Sequence, residues 1–212
     1  MKAPLFLLIA VHALTALHAE TEKPDPAQLT LARIFTDKEF EEEKMPALKW
    51  SKISVSYFTL EKPAEGKDGK DLVRNDLETG KQTILASAKA LTPKGEKKPL
   101  SVDSFEFNAD ESKALLFTNT KKVWRKNTRG DYWLLDLASK KLVKLGGDAA
   151  PSTLMFAKFS PDGTRVAYVR QNNLHIQNLA DLKITSLTTD GSSTLINGTS
   201  DWVNEEELSL RD

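Results

Sequence analysis

The chain has 212 residues, with 30 basic and 30 acidic side chains and no formal net charge at pH 7. Because the charges are evenly balanced, the chain has no net field that would recruit nucleic acid. Its length suits one or two domains. There is no cysteine, and only three histidines are present, which excludes disulfides and argues against a zinc site with the usual ligands.

The first 19 residues are predicted to be a secretory signal peptide. Met1 and Lys2 form a short basic start, an apolar run follows, and Ala19 supplies a small residue at the cleavage position. The alternative is an uncleaved membrane anchor, although the apolar run is short for the about 20 residues that a span needs. We therefore expect an exported protein, periplasmic or extracellular, whose stability rests on core packing because it has no disulfides.

Residues 20–47 are predicted to be a polar lead with one short helix. Asp25 is a candidate N-cap, with Pro26 at the first helical position. A partial apolar face would be formed by Leu29, Leu31, Ile34 and Phe35.

From residue 48 onward, the chain repeats a four-strand layout three times. Equivalent aromatic positions, Trp50, Phe107 and Phe159, mark the start of each repeat and recur at intervals of roughly 50 residues, as blades of a β-propeller do. The Ser-Pro-Asp-Gly sequence at residues 160–163 suits a tight turn between two strands. A β-sandwich is the alternative, but its strands need no such repeat.

The predicted fold class is therefore all-β, an incomplete β-propeller over residues 48–212. Four-stranded blades are expected at about 48–90, 100–148 and 152–192, and residues 194–212 would begin a fourth. Propellers usually close with about four to eight blades, and three blades leave strand edges exposed. We therefore expect the chain to be the N-terminal part of a longer protein, or a truncated reading frame of one.

No catalytic constellation is evident in the sequence. His12 and His18 lie in the leader, so a Ser-His-Asp triad would have to use His175, which lies in an alternating, strand-like run. No nucleophile elbow, dinucleotide-binding motif or P-loop occurs. We expect no catalytic residue, no metal and no cofactor, and interpret His175 as an ordinary strand residue.

The first candidate binding stretch is residues 123–133, which include Trp124 and Arg125. It is predicted to be an enlarged connection between the second and third strands of the second blade, where binding residues usually lie. An arginine beside a tryptophan can stack, and its planar fork suits a carbonyl or carboxylate. A plain surface arginine on an aromatic loop is the competing interpretation.

The second candidate stretch places Glu205, Glu206 and Glu207 shortly after Trp202. Adjacent carboxylates repel, so the run is easier to explain if a cation normally lies between them. A short helix capped by Ser200 or Asp201 would let two glutamates share one ligand. A solvated acidic turn is the competing interpretation.

On these residues, the chain resembles the N-terminal propeller of the dipeptidyl peptidase IV family of serine peptidases. The resemblance runs from about residue 29 to 212 and is strongest at residues 123–133, 159–169 and 197–207. The Asp-Trp-Val-x-Glu-Glu-Glu run, with a Trp-Arg loop upstream, is specific, whereas many propellers share the Ser-Pro-Asp-Gly turn.

The resemblance implies an eight-bladed propeller that covers a C-terminal α/β-hydrolase domain holding the catalytic triad. It implies an enzyme that removes dipeptides from peptide N-termini and prefers proline or alanine as the second residue of the substrate. Glu206 and Glu207 would bind the α-ammonium of the substrate, and Arg125 would hydrogen-bond it near its first carbonyl. The implied partners are peptides with a free N-terminus and the hydrolase domain, and a homodimer is an open option for the parent.

Two departures from the family pattern leave other functions open. Asn204 stands where the family usually has tyrosine, and the first two repeats lack the Ser-Pro-Asp-Gly turn. The alternatives are a non-catalytic propeller that binds a protein or peptide partner, or a nonfunctional truncated fragment. Propellers host many functions, so the fold alone does not decide among them.

Overall fold

The computed structural model describes residues 25, 27–42, 45–64 and 68–210. The predicted signal peptide lies outside these residues. The chain divides into two compact units, residues 1–44 and 45–212. Within the described part, no helix is long and apolar enough to cross a membrane.

The first unit contains one π-helical turn, Ala32–Thr36, which is closed by a hydrogen bond from the Asp37 N–H to the Ala32 carbonyl. Pro26, at which a short helix was expected to begin, lies outside the described residues. Asp25 closes a turn, since its carbonyl accepts the Gln28 N–H at 2.9 Å and its carboxylate accepts the Ala27 N–H at 2.9 Å.

The second unit is built from two antiparallel sheets. The first is four-stranded, with strands in chain order: β1 (Leu48–Trp50), β2 (Ser56–Glu61), β3 (Asp71–Asp76) and β4 (Gln82–Ala86). The second is eight-stranded and contains β5 (Val102–Phe107), β6 (Lys113–Val123), β7 (Lys126–Asp136), β8 (Leu142–Lys144), β9 (Leu154–Phe159), β10 (Arg165–Arg170), β11 (Asn173–Asn178) and β12 (Ile184–Ser186).

The eight-stranded sheet consists of two four-stranded blades, β5–β8 and β9–β12. They are joined through a short pairing of β7 with β9, at Arg129↔Met155 and Gly130↔Leu154. The β7 strand also pairs with β8, so the link between the blades lies near the first half of β7. The described residues 187–210, which follow β12, contain no strand and end in a second π-helical turn, Val203–Glu207.

Apolar side chains pack between successive blades. Because neighbouring residues on a strand point to opposite faces, Leu116 of β6 joins the cluster shared with the first blade, and Leu115 joins the cluster shared with the third. Phe58 and Leu72 of the first blade pack in the former cluster. The predicted fold class, an all-β incomplete β-propeller, is confirmed.

The aromatic residues used to align the repeats end the first strands instead of beginning them. Trp50, Phe107 and Phe159 are the last residues of β1, β5 and β9. The four-stranded repeat is present, but each marker ends the first strand of its blade, just before the turn to the second strand.

The turn of the second blade explains why it departs from the Ser-Pro-Asp-Gly sequence. Glu111 adopts a left-handed φ of 56°, a conformation that favours glycine, as Gly163 does in the third blade at 67°. Its carboxylate accepts the Ser51 hydroxyl at 2.9 Å and the Lys52 N–H at 2.7 Å. The glutamate thus ties the second blade to the first, which a glycine could not do.

Asp162 in the turn of the third blade is predicted to stabilise the fold in a pH-dependent way. Its carboxylate accepts the Ser160 hydroxyl, the Thr164 N–H and the Thr164 hydroxyl, and these bonds lower its pKa to about 2. Since the pKa is depressed on folding, the stabilisation is present above the unfolded pKa of about 3.9 and is lost as the pH falls through the folded value.

We expect Asp162→Asn to lower the thermal midpoint at pH 7, and the difference from the unmodified chain to vanish between about pH 4 and pH 2. Calorimetry of both proteins across that range measures it. A difference that stays constant down to pH 2 would contradict the assigned role of the ionised carboxylate.

Candidate functional site

Arg125 lies at the tip of a long β-hairpin. β6 and β7 continue beyond the blade as paired strands, with Val123 opposite Lys126, so that Trp124 and Arg125 form a two-residue turn. Trp124 takes a left-handed φ of 53°. The stretch expected to be an enlarged loop is therefore mostly strand, because backbone pairing satisfies its polar groups.

The root of this hairpin is fastened by Asp131. Its carboxylate accepts the Asn119 amide at 2.9 Å and the Ser152 N–H at 2.9 Å, and lies 3.3 Å from the Lys144 ammonium. The hydroxyl of Ser152 in turn donates to the Asn119 carbonyl at 2.6 Å. These bonds fix the point where the hairpin leaves the blade, and they therefore fix the direction in which Arg125 is presented.

The three glutamates lie in the second π-helical turn, Val203–Glu207, which is closed by a bond from the Leu208 N–H to the Val203 carbonyl. Asp201 holds its start, as its carboxylate accepts the Asn204 N–H at 3.0 Å and the Asn204 side-chain amide at 2.7 Å. These bonds also lower the pKa of Asp201. Asn204 thus helps to hold the turn.

Arg125 binds two of the glutamates. Its Nε lies 3.2 Å from Glu206 Oε2, its Nη1 lies 2.9 Å from Glu207 Oε1, and its backbone N–H donates to Glu206 Oε1 at 2.7 Å. The structure therefore brings together the three predicted site residues, although the hairpin and the turn are far apart in sequence. We call Arg125, Glu206 and Glu207 the clamp.

The two clamp carboxylates differ in their surroundings. The Glu206 side chain is 1% exposed, whereas that of Glu207 is 48% exposed. Glu205, which the sequence indicated only as a neighbour, is buried. Trp202 is 40% exposed and lies at the surface beside Arg125.

The clamp carries a residual negative charge. Two carboxylates share one guanidinium, which leaves one negative charge in the group when all three are ionised. The half-exposed Glu207 presents that charge to solvent. Chemically, the arrangement can attract a cation with several N–H donors, such as an ammonium group.

Other groups considered in the sequence lie apart from the clamp. His175 Nδ1 lies 3.1 Å from the Ser186 hydroxyl, and its ring stacks on Tyr168 with centroids 5.7 Å apart, as befits a strand residue. A cavity of about 500 Å³ opens beside the turns that follow β1, β5 and β9, and no clamp residue lines it. Among the described residues, no group of three or more potential ligands could hold a metal ion.

Comparison with known proteins finds a family model that spans both the hairpin and the second π-helical turn. Residues 108–212 match the model of the dipeptidyl peptidase IV N-terminal region. A probable dipeptidyl-aminopeptidase B of Trichophyton verrucosum is 39% identical over 99 residues, covering 47% of this chain and 11% of the relative. Dipeptidyl aminopeptidase B of Saccharomyces cerevisiae is 33% identical over 138 residues, covering 65% of this chain and 16% of the relative.

The crystal structure of Porphyromonas gingivalis dipeptidyl peptidase 4 superimposes with a TM-score of 0.73 at 24% identity, over 87% of this chain and 25% of that one. This likeness supports the propeller fold. The chain thus spans a small part of the length of the proteins that it matches.

Fold and site together define a β-propeller segment with a surface clamp of two carboxylates and one guanidinium. Residues 108–212, about half of the chain, are similar to the N-terminal region of the dipeptidyl peptidase IV family. Both clamp stretches fall within the matched residues 108–212.

Proposed function

We propose that this chain is the substrate-recognition part of an exported serine-type dipeptidyl aminopeptidase. Its clamp would bind the free N-terminus of a peptide, which a C-terminal α/β-hydrolase domain would then cleave after the second residue. The observation that carries this proposal is the pair of carboxylates, Glu206 and Glu207, held by Arg125 with one negative charge in excess. The names of the relatives, dipeptidyl aminopeptidases, support it.

The chemistry of the clamp suits a peptide ammonium. An α-ammonium brings one positive charge and three N–H donors, which two carboxylates accept in charge-assisted bonds. The exposed guanidinium of Arg125 retains N–H donors for a nearby carbonyl oxygen. Holding the ammonium at a fixed distance from a nucleophile would also place the bond after the second residue at that nucleophile. This positioning would contribute to the rate.

A binding experiment with the chain itself tests the recognition part of the proposal. The probes are the tripeptide Ala-Pro-Ala and its N-acetylated form, titrated calorimetrically at pH 7. Acetylation removes the charge, so we expect it to weaken binding by at least about tenfold. Binding of the free tripeptide should also fall above about pH 8, as its α-amino group loses its proton.

Equal binding of both peptides would overturn the ammonium clamp and favour the rival function, a non-catalytic propeller that captures a partner by other contacts. The enzymatic part needs a separate test, the reading frame beyond the codon for Asp212. A hydrolase domain with a Gly-x-Ser-x-Gly nucleophile elbow supports the peptidase. A stop codon there would contradict it and favour a truncated fragment.

A further inference from the structure

The carboxylate of Glu206 is held by groups of its own chain. Its Oε1 accepts the Arg125 backbone N–H at 2.7 Å, and its Oε2 accepts the Trp202 indole N–H at 2.9 Å and lies 3.2 Å from Arg125 Nε in an ion pair. A carboxylate has about four acceptor positions, so the two hydrogen bonds leave about two for a ligand. By contrast, Arg125 Nη1 contacts one oxygen of the half-exposed Glu207.

Trp202 contacts both halves of the clamp. Its indole N–H donates to Glu206, and the guanidinium carbon of Arg125 lies 5.3 Å from its ring centroid. A guanidinium over an indole face is attracted by the ring. One side chain therefore holds the carboxylate by its edge and the cation by its face.

These contacts determine where the remaining acceptor positions of Glu206 point. Without the indole N–H, Oε2 would lose its hydrogen-bond donor, and the carboxylate could rotate toward Arg125 Nε alone. Among the described residues, only Arg125 and Trp202 form hydrogen bonds or an ion pair with the buried Glu206 side chain. The orientation of the Glu206 carboxylate thus depends in part on Trp202.

We propose that Trp202 is a positioning residue that orients Glu206 and Arg125 for capture of a peptide ammonium. This inference rests on the proposed function, in that the captured group is the substrate N-terminus. Trp202 itself makes no contact with the ligand in this scheme. It acts by fixing the carboxylate direction and by restricting the guanidinium to the side that leaves Glu207 accessible.

The substitution Trp202→Phe tests the inference, because it keeps an aromatic face and removes the N–H donor. We expect Ala-Pro-Ala to bind about tenfold more weakly, the loss of one hydrogen bond to a charged group, while binding of the N-acetylated peptide stays unchanged. The matched control is Trp50→Phe, which alters an exposed tryptophan that packs edge-to-face on Tyr57 in the first blade. It should leave both affinities unchanged.

A double variant separates positioning from a general loss of structure. If Trp202 acts through Glu206, then Trp202→Phe combined with Glu206→Gln should bind no more weakly than Glu206→Gln alone. Equal loss of affinity for the free and the acetylated peptide, together with a lower thermal midpoint than that of Trp50→Phe, would overturn the inference in favour of a purely structural role.

A ligand-free measurement distinguishes failure of this inference from failure of the proposed function. The chain has four tryptophans, so its ¹H–¹⁵N spectrum has four indole resonances, and Trp202→Phe identifies that of Trp202. Glu206→Gln should move that resonance upfield, and Glu207→Gln should not. A resonance unmoved by Glu206→Gln overturns the inference, whereas absent peptide binding by the unmodified chain overturns the proposed function.

Discussion

Replacing Glu206 with glutamine is expected to weaken binding of Ala-Pro-Ala by about 30-fold, because the change removes the charge of a carboxylate whose side chain is 1% exposed and leaves the bound ammonium without that partner. Glutamine has nearly the same shape, so the backbone of the turn should persist. Its amide group, however, turns two N–H donors toward a site that already contains the N–H groups of Arg125 and Trp202. The change therefore removes both the charge and an acceptor.

Glu207→Gln should also weaken binding of Ala-Pro-Ala, but less than Glu206→Gln does. Because Glu207 is half exposed and makes one contact with Arg125, its loss leaves no buried donor without an acceptor, and we expect a smaller effect. Glu96→Gln, on an exposed loop, is the control for charge alone. In a full-length protein, kcat/KM for cleavage of a dipeptidyl substrate should fall in the same order, and an unchanged value for Glu206→Gln would remove the clamp assignment.

The blade repeat could be predicted from the sequence because local signals and burial agree. The strands that carry it alternate or run apolar, as in Ala114, Leu115 and Leu116 of β6, and Gly163 and Asp162 mark a turn by residue type alone. Such signals act within a few residues, so they survive without knowledge of the packing.

The hairpin could not be predicted because its residues are polar and its stabilisation is distant in sequence. Lys126 to Arg129 carry no alternating apolar pattern, and the strand there is held by the pairing of Arg129 with Met155 and by the bonds of Asp131 to Asn119 and Ser152. The contacts with Met155 and Ser152 reach beyond the second blade, so no local sequence pattern reveals them.

The clamp, too, could be predicted from the sequence only in part. Residue types suggested that carboxylates near Trp202 needed a cation, but the sequence offered no way to know that Arg125, 81 residues earlier than Glu206, supplies it. The resemblance to the family singled out the three residues together. The sequence did not reveal that Glu206 and Glu207 are unequally buried, or that Trp202 donates a hydrogen bond to Glu206. Both features depend on how the turn folds against the hairpin.

Gly130→Ala should produce a large loss of stability. Gly130 lies on β7 at the root of the hairpin, and a Cβ added there would lie 2.3 Å from Phe117 Cε2 and 2.7 Å from the Thr118 carbonyl oxygen. Both distances are far inside van der Waals contact. Overpacking of this kind costs about 1–3 kcal/mol, and we expect the upper end because one of the two obstacles is backbone.

The control is Gly80→Ala, since its added Cβ meets nothing within 4 Å and only the left-handed φ of 68° opposes it. Urea unfolding should show the loss for Gly130→Ala exceeding that for Gly80→Ala. Adding Phe117→Leu to Gly130→Ala should restore part of the stability by removing the aromatic obstacle, but not all of it, because the Thr118 carbonyl remains. Equal losses for the two glycines would mean that β6 and β7 can separate freely at this point, and the hairpin root would then not hold Arg125 in a fixed direction.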